Sequence, residues 1–352
     1  MHSVFVLSIE GKPLTPTTPA RARKLLEAGV AQKAWSKFGT FGIQLLVESR
    51  TEVPLTTWGY DGGAKFEGFA VMCGRENVLA IKLDLPDKQP IVRKLEERRT
   101  LRRARHFRRC RRRPARFDNR RRKLDWIAPS QLVMVQSRLK VLAALFAICP
   151  IQRVGLDDVR FNHAKYRWGA NFSTLEIGKT RIQNWLTERA EVTRYPDWQM
   201  ISFAERTLAA SGGEIKALRK QYGYPKTVVK SADKFSAHCS DALALACAVG
   251  MNAPVAAGRF IVVDDTYRPV RRRLHDTQPA KGGVRAAYST GTVFGLRKGL
   301  LIGTKNGKTG RLSGKLPKGI RYYDAEGKRQ STSALQWIST QFITRVKGEP
   351  SP

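Results

Sequence analysis

Asp61 closes the stretch TTWGYDGGAK, and Asp157 with Asp158 closes RVGLDDVRFN. A third stretch, SAHCSDALALA, places His238 and Asp241 three residues apart, so a helix there presents both on one face. Carboxylates gathered in this way suit hard divalent cations, which take oxygen ligands and, in the case of Mg²⁺, retain water. Two such ions about 4 Å apart can stabilise the attacking and the leaving oxygen of a phosphodiester. A neighbouring imidazole can take the water's proton or ligate through it. Each acid also has a plain role on its own. Asp61 before Gly-Gly suits a turn, Asp157 and Asp158 can end a strand, and His238 with Asp241 can be a surface pair near a helix start. Their joint occurrence in one order of elements carries the nuclease reading.

The elements that must position these residues follow from periodicity. Residues 57–61, 66–73 and 78–85 are β-rich and joined by Gly-containing turns, which predicts a three-stranded antiparallel meander. From Ser130 to Ile148, Leu132, Val135, Leu139, Leu142, Leu145 and Phe146 recur with helical period. A strand over Arg153–Val159, a helix near Thr180–Glu191 and an Ala/Leu-rich helix over Ser236–Val249 complete the series. Meander, helix, strand, helices is the order of an RNase H-like α/β fold. In that fold the first and fourth strands are neighbours and the last helix crosses their ends, which would gather Asp61, Asp157 and Asp241.

Residues 1–52 read as a small N-terminal α+β module. Its strand Val4–Ile9 precedes a Thr N-cap, Pro19 at the first helical position and a helix over Ala20–Ala28 that stops at Gly29. The nuclease core would then occupy 53–90 and 125–253, interrupted by an arginine-rich helix over 91–124. Short strands and many glycines predict a β-rich C-terminal domain over 254–352.

Charge narrows the partner. The 352 residues carry 64 Lys and Arg against 29 Asp and Glu, a formal net charge of +35. From Arg93 to Lys123 there are 15 Arg, 2 Lys and 3 carboxylates. A charge run is commonly a solvated face, but Leu95, Leu101, Ala104, Phe107 and Cys110 recur at helical spacing within this one. Guanidinium groups bind phosphate bidentately and stack on bases, where ammonium acts as a point charge. A helix so charged suits nucleic acid, and its expected contacts are Arg98, Arg99, Arg102, Arg103, Arg105, Arg108, Arg109, Arg111, Arg112, Arg113, Arg116, Arg120, Arg121 and Arg122.

Other classes recede. Cys73, Cys110, Cys149, Cys239 and Cys247 form no CxxC pair, which predicts free thiols in a reducing compartment. Met1–Val30 has no apolar signal core, and the longest apolar stretch is half of what a membrane span needs, so a cytoplasmic, prokaryotic protein is expected. GTKNGKTG at 303–310 imitates a phosphate-binding loop, but three residues separate its glycines where four are required.

The motifs taken together resemble a known family. GYDGGAK is similar to the first RuvC motif, GLDDVRFN to the second and AHCSDALALA to the third, while Arg93–Lys123 resembles the arginine-rich bridge helix. GKPLTPTTPARARKLL resembles the PLMP module of the IscB group, transposon-encoded relatives of type II CRISPR effectors. IscB proteins insert an HNH nuclease between the second and third motifs. Here His163 is the sole histidine in residues 160–237, so the resemblance is to the IsrB branch, which lacks HNH. That likeness implies an RNA-guided DNA nickase, with one chain per long noncoding guide RNA, double-stranded target DNA, and two Mg²⁺ (or Mn²⁺) held by Asp61, Asp157, Asp241 and His238. It also implies a C-terminal domain that recognises a target-adjacent motif. Three departures stand out: PLTP replaces PLMP, Gly62 replaces the usual Pro, and Asp157 replaces the usual Glu, with Asp158 as a second candidate. An RNA-independent junction resolvase and a non-catalytic RNA-binding protein are the alternatives.

Overall fold

The computed structural model describes residues 4–50, 52–108, 126–157, 177–189, 207–210, 212–251, 255, 260–265, 277–278, 283–284, 292–293, 296–297, 300–304, 308–324, 327–333, 337–339 and 342–347. The chain is a mixed α/β protein with several sheets.

The N-terminal module is a four-stranded sheet around one helix. β1 (Val4–Leu7), β2 (Pro13–Thr17), α1 (Pro19–Glu27), β3 (Ala31–Trp35) and β4 (Phe41–Leu45) follow in turn, and the sheet order is β2-β1-β4-β3. Thr18 caps α1, its Oγ1 accepting from the Arg21 N–H at 3.3 Å, and Pro19 follows at the first position. Ala22 faces inward with Val4, Val6, Leu14 and Ile43, while Arg21 and Arg23 point outward.

The main sheet begins with β5 (Thr56–Asp61), β6 (Phe66–Cys73) and β7 (Glu76–Asp84), an antiparallel meander. Then come α2 (Gln89–Phe107), α3 (Pro129–Phe146), β8 (Arg153–Asp157), α4 (Lys179–Thr187), β9 (Thr207–Ala210), α5 (Gly212–Gln221), α6 (Phe235–Gly250) and β10 (Phe260–Asp264). β8 pairs with β5 in parallel and β9 pairs with β8 in parallel.

Period-two alternation along the strands feeds two cores. Phe69, Val71, Ile81 and Leu83 face α3 and α4, where Val135, Leu142, Leu145, Ile182 and Leu186 meet them. Ala70, Met72, Ala80 and Val262 face α5 and α6, packing on Ile215, Leu218, Phe235 and Leu243. The sheet is thus sandwiched between helices, as a sheet buried on both faces requires.

Beyond β10 lie two two-residue hairpins, β11 (Thr277–Gln278) with β12 (Gly283–Val284) and β13 (Thr292–Val293) with β14 (Leu296–Arg297). A second sheet follows: β15 (Leu301–Thr304), β16 (Thr309–Leu316), β17 (Gly319–Asp324), β18 (Arg329–Ser333) and β19 (Trp337–Ser339), in the order β18-β17-β16-β15-β19. The last strand, β20 (Ile343–Lys347), returns to the main sheet, whose order is β20-β10-β7-β6-β5-β8-β9. The segment expected as a separate C-terminal domain therefore lends β10 and β20 to the central sheet. The apolar alternation of β10, Phe260 and Val262 on one face and Ile261 and Val263 on the other, is that of a strand buried on both sides.

Of residues 303–310, Gly303 and Thr304 end β15 and Thr309 and Gly310 begin β16. Thr304 N donates to the Lys308 carbonyl at 2.7 Å, and Lys308 N donates to Thr304 Oγ1 at 3.1 Å. Strand leads to strand here, so the helix that a phosphate-binding loop needs is missing.

Candidate active site

Asp61 is the final residue of β5, and the parallel register that sets Tyr60 against Leu156 puts Asp157 on the neighbouring strand end. Asp241 reaches the same place from α6. That helix can lie close because the strands beneath it carry glycine. A Cβ on Gly59 would stand 1.8 Å from the Ala242 carbonyl oxygen, and one on Gly68 would stand 2.3 Å from that of His238. Gly155 repeats the pattern on β8, under Leu245 and Val249. Glycine inside a strand is otherwise unfavourable and marks close backbone approach. Thr57 Oγ1 adds a hydrogen bond to the Ala246 carbonyl at 2.8 Å.

The three carboxylates act on one another. Burial, then the nearby charge of Asp61 and further that of Asp241, push the Asp157 carboxyl up to about 7, while Lys179 and Lys226 oppose the shift. Asp241 is likewise raised, by burial first and by Asp61 second, with Lys226 and Arg219 pulling the other way. Mutual repulsion of this kind needs proximity. Among the described residues, Asp157 Oδ1 is buried and has no hydrogen-bond partner. Arg219 Nε lies 2.8 Å from Asp241 Oδ1, yet neither atom has hydrogen-bond geometry, so the contact is an ion pair alone. Lys226 bonds Asp241 Oδ2. Carboxylate oxygens such as the unpartnered Asp157 Oδ1 are the donor type that a hard divalent cation takes. Among the described residues, however, no group of three or more His, Cys, Asp or Glu side chains stands in ligating geometry.

His238 of α6 stands beside Asp61. Its Nδ1 is 3.1 Å from Asp61 Oδ2, and its Nε2 donates to the Lys230 carbonyl at 3.2 Å. Both ring nitrogens are engaged and the residue is 6 % exposed. The imidazole is thus in contact with Asp61, next to the other acids that sequence analysis grouped with it. Two further features lie outside what the sequence pointed to. Arg138 of α3 donates from Nε to Glu67 at 2.6 Å and from Nη2 to the Gly63 carbonyl at 3.0 Å, bracing the turn after Asp61. Lys82, 1 % exposed, bonds Asp233 at 2.9 Å and the Ser231 carbonyl at 3.2 Å, pinning the loop that carries Lys230. A lysine at the centre of an apolar strand and an arginine in an apolar helix are the signals that could have revealed them.

Of the expected arginines, Arg98, Arg99, Arg102, Arg103, Arg105 and Arg108 belong to α2 or the residue after it. Residues 92–104 are exposed throughout. Leu101 is 61 % and Phe107 91 % exposed, so these two apolar side chains meet no core among the described residues. Arg109, Arg111, Arg112, Arg113, Arg116, Arg120, Arg121 and Arg122, with Cys110, Asp158 and His163, lie outside the described residues. The remaining cysteines, 73, 149, 239 and 247, are free thiols and buried. No helix among the described residues is long and apolar enough to cross a membrane.

The sequence model of the RRXRR protein family matches residues 4–194, more than half of the chain. The chain belongs to the RRXRR family. No curated protein matches it. The RRXRR match runs through the N-terminal module, β5 to β7, α2, α3, β8 and α4. It therefore includes Asp61 and Asp157, and ends ahead of His238 and Asp241.

Proposed function

We propose that this RRXRR protein is an RNA-guided DNA nickase of the IsrB kind, with an RNase H-like core cutting one strand by metal-dependent hydrolysis. The observation that carries the reading is the convergence of Asp61, Asp157 and Asp241 from β5, β8 and α6 on one end of the sheet. Strand order β7-β6-β5-β8-β9, three antiparallel and two parallel strands, supports the RNase H-like assignment. Membership of the RRXRR family suggests a nuclease of the IscB kind and agrees with the motifs read in the sequence.

Asp61, Asp157 and Asp241 would hold the divalent ions. Such ions, when bound, supply a nucleophilic water and neutralise charge on the phosphate. The chain's own residues do the rest. His238 keeps Asp61 turned toward the site, and Arg138 with Glu67 fixes the turn that follows it. Burial of the carboxylates excludes bulk water and strengthens their hold on a cation. α2 offers its arginines and its uncovered Leu101 and Phe107 to RNA, where guanidinium and apolar groups both find partners. The guide RNA then reads target sequence by base pairing, while protein contacts read backbone and shape.

A supercoiled plasmid carrying the target, incubated with the protein, its guide RNA and Mg²⁺, tests this directly. Conversion to the nicked circle is expected, and Asp61→Ala should lower the rate by about 10³-fold or more. Full nicking by that variant defeats the assignment.

A further inference from the structure

Both oxygens of Asp241 are engaged by side-chain cations: Arg219 pairs with Oδ1 and Lys226 bonds Oδ2. A carboxylate at 4 % exposure needs such counter-charge. A divalent ion, however, requires those same oxygens, and an ammonium beside it would be repelled at short range. One of the two cations must give way. Arg219 is the more enclosed, with 16 % of its side chain exposed and Nη1 donating to the Tyr224 carbonyl at 3.4 Å. Lys226 is 31 % exposed and opens a loop that projects outward, Val228 lying 93 % exposed two residues on. Lys226 is the side chain with room to leave. Resting on the nuclease reading above, the anion within its reach is then the backbone of the strand being cut, and a lysine binds phosphate as a mobile point charge.

We propose that Lys226 is a phosphate-binding residue of the cleaved strand that occupies Asp241 until a divalent ion takes the carboxylate. Metal loading and grip on the strand are thereby coupled through one side chain, and the coupling is reciprocal. The ammonium opposes metal entry when no strand is present. It favours metal once a phosphate has drawn it away.

Iron(II)-directed hydroxyl-radical cleavage of the full-length polypeptide reports metal occupancy at Asp61 and Asp241 without relying on nicking. Half-saturating Fe²⁺ is measured with and without a single-stranded oligodeoxynucleotide, in the wild type and in the Lys226→Met, Lys226→Arg and Asp61→Ala variants. Without DNA, Lys226→Met should need less Fe²⁺, on the order of fivefold. DNA should shift the wild type toward tighter metal binding and leave Lys226→Met unmoved, with Lys226→Arg restoring the shift. Equal half-saturation in the wild type and Lys226→Met, with local cleavage abolished by Asp61→Ala, overturns the proposal. Undiminished local cleavage in Asp61→Ala removes the metal site itself, and the nuclease reading falls with it.

Discussion

Asp157 sits where burial and two neighbouring carboxylates oppose its charge, and its pKa is pushed up to about 7 from 3.8. The folded value lies above the unfolded one, so the protonated form favours folding. That stability is fully present below about pH 4 and is lost as pH rises through about 7. In chelator, Asp157→Asn should gain on the wild type in thermal stability as pH is raised across this window. Mg²⁺ should reverse the difference by stabilising the wild type alone. Calorimetry at a series of pH values, with and without Mg²⁺, checks both. Gly59 provides a second test at this scale. A methyl there meets the Ala242 carbonyl, which is backbone and cannot rotate aside. Gly59→Ala should cost about 1–3 kcal/mol or more in urea denaturation, and should abolish nicking by lifting Asp241 away from Asp61.

At the scale of elements, α2 and α6 are opposites. α6 is an Ala-rich helix buried along nearly its whole length, with Asp241 and His238 as its buried ionisable residues. Its alanines and the strand glycines were visible as small residues, but only their stacking explains why both are needed. α2 is exposed over residues 92–104, which pack against no core among the described residues. Its arginines should contribute to RNA affinity mainly by displacing counterions. The slope of log affinity against log salt should therefore be steep. Arg98→Ala, Arg102→Ala and Arg103→Ala should each flatten it by about one unit at most, read by filter binding over a salt series.

On the scale of the whole molecule, the chain closes on itself. β20 pairs antiparallel with β10, and Arg345 and Lys347 reach Asp84 and Asp233 at 3.4 and 3.8 Å. Asp233 in turn holds Lys82 beneath the loop that carries Lys226 and Lys230. The β15–β19 sheet is thus tied to the site through its returning strand. A chain stopped after Phe342 would leave β10 as a bare apolar edge. It should unfold at a lower denaturant midpoint and lose the protection of the β10 amides in hydrogen exchange, even though every candidate metal ligand is retained.

Residue types, local period and charge are properties of short windows, and these were legible in the sequence: the meander, the Thr18 cap, α3, α6, the arginine run and the acids at 61, 157 and 241. Three things depended on contacts between different elements. They are the return of β10 and β20 to the central sheet, the engagement of both His238 nitrogens, and the cations standing on Asp241. A window of sequence records what a side chain is, whereas its partner across the sheet is chosen by packing. Lys226 reads as an ordinary loop lysine until α5 and α6 close around it.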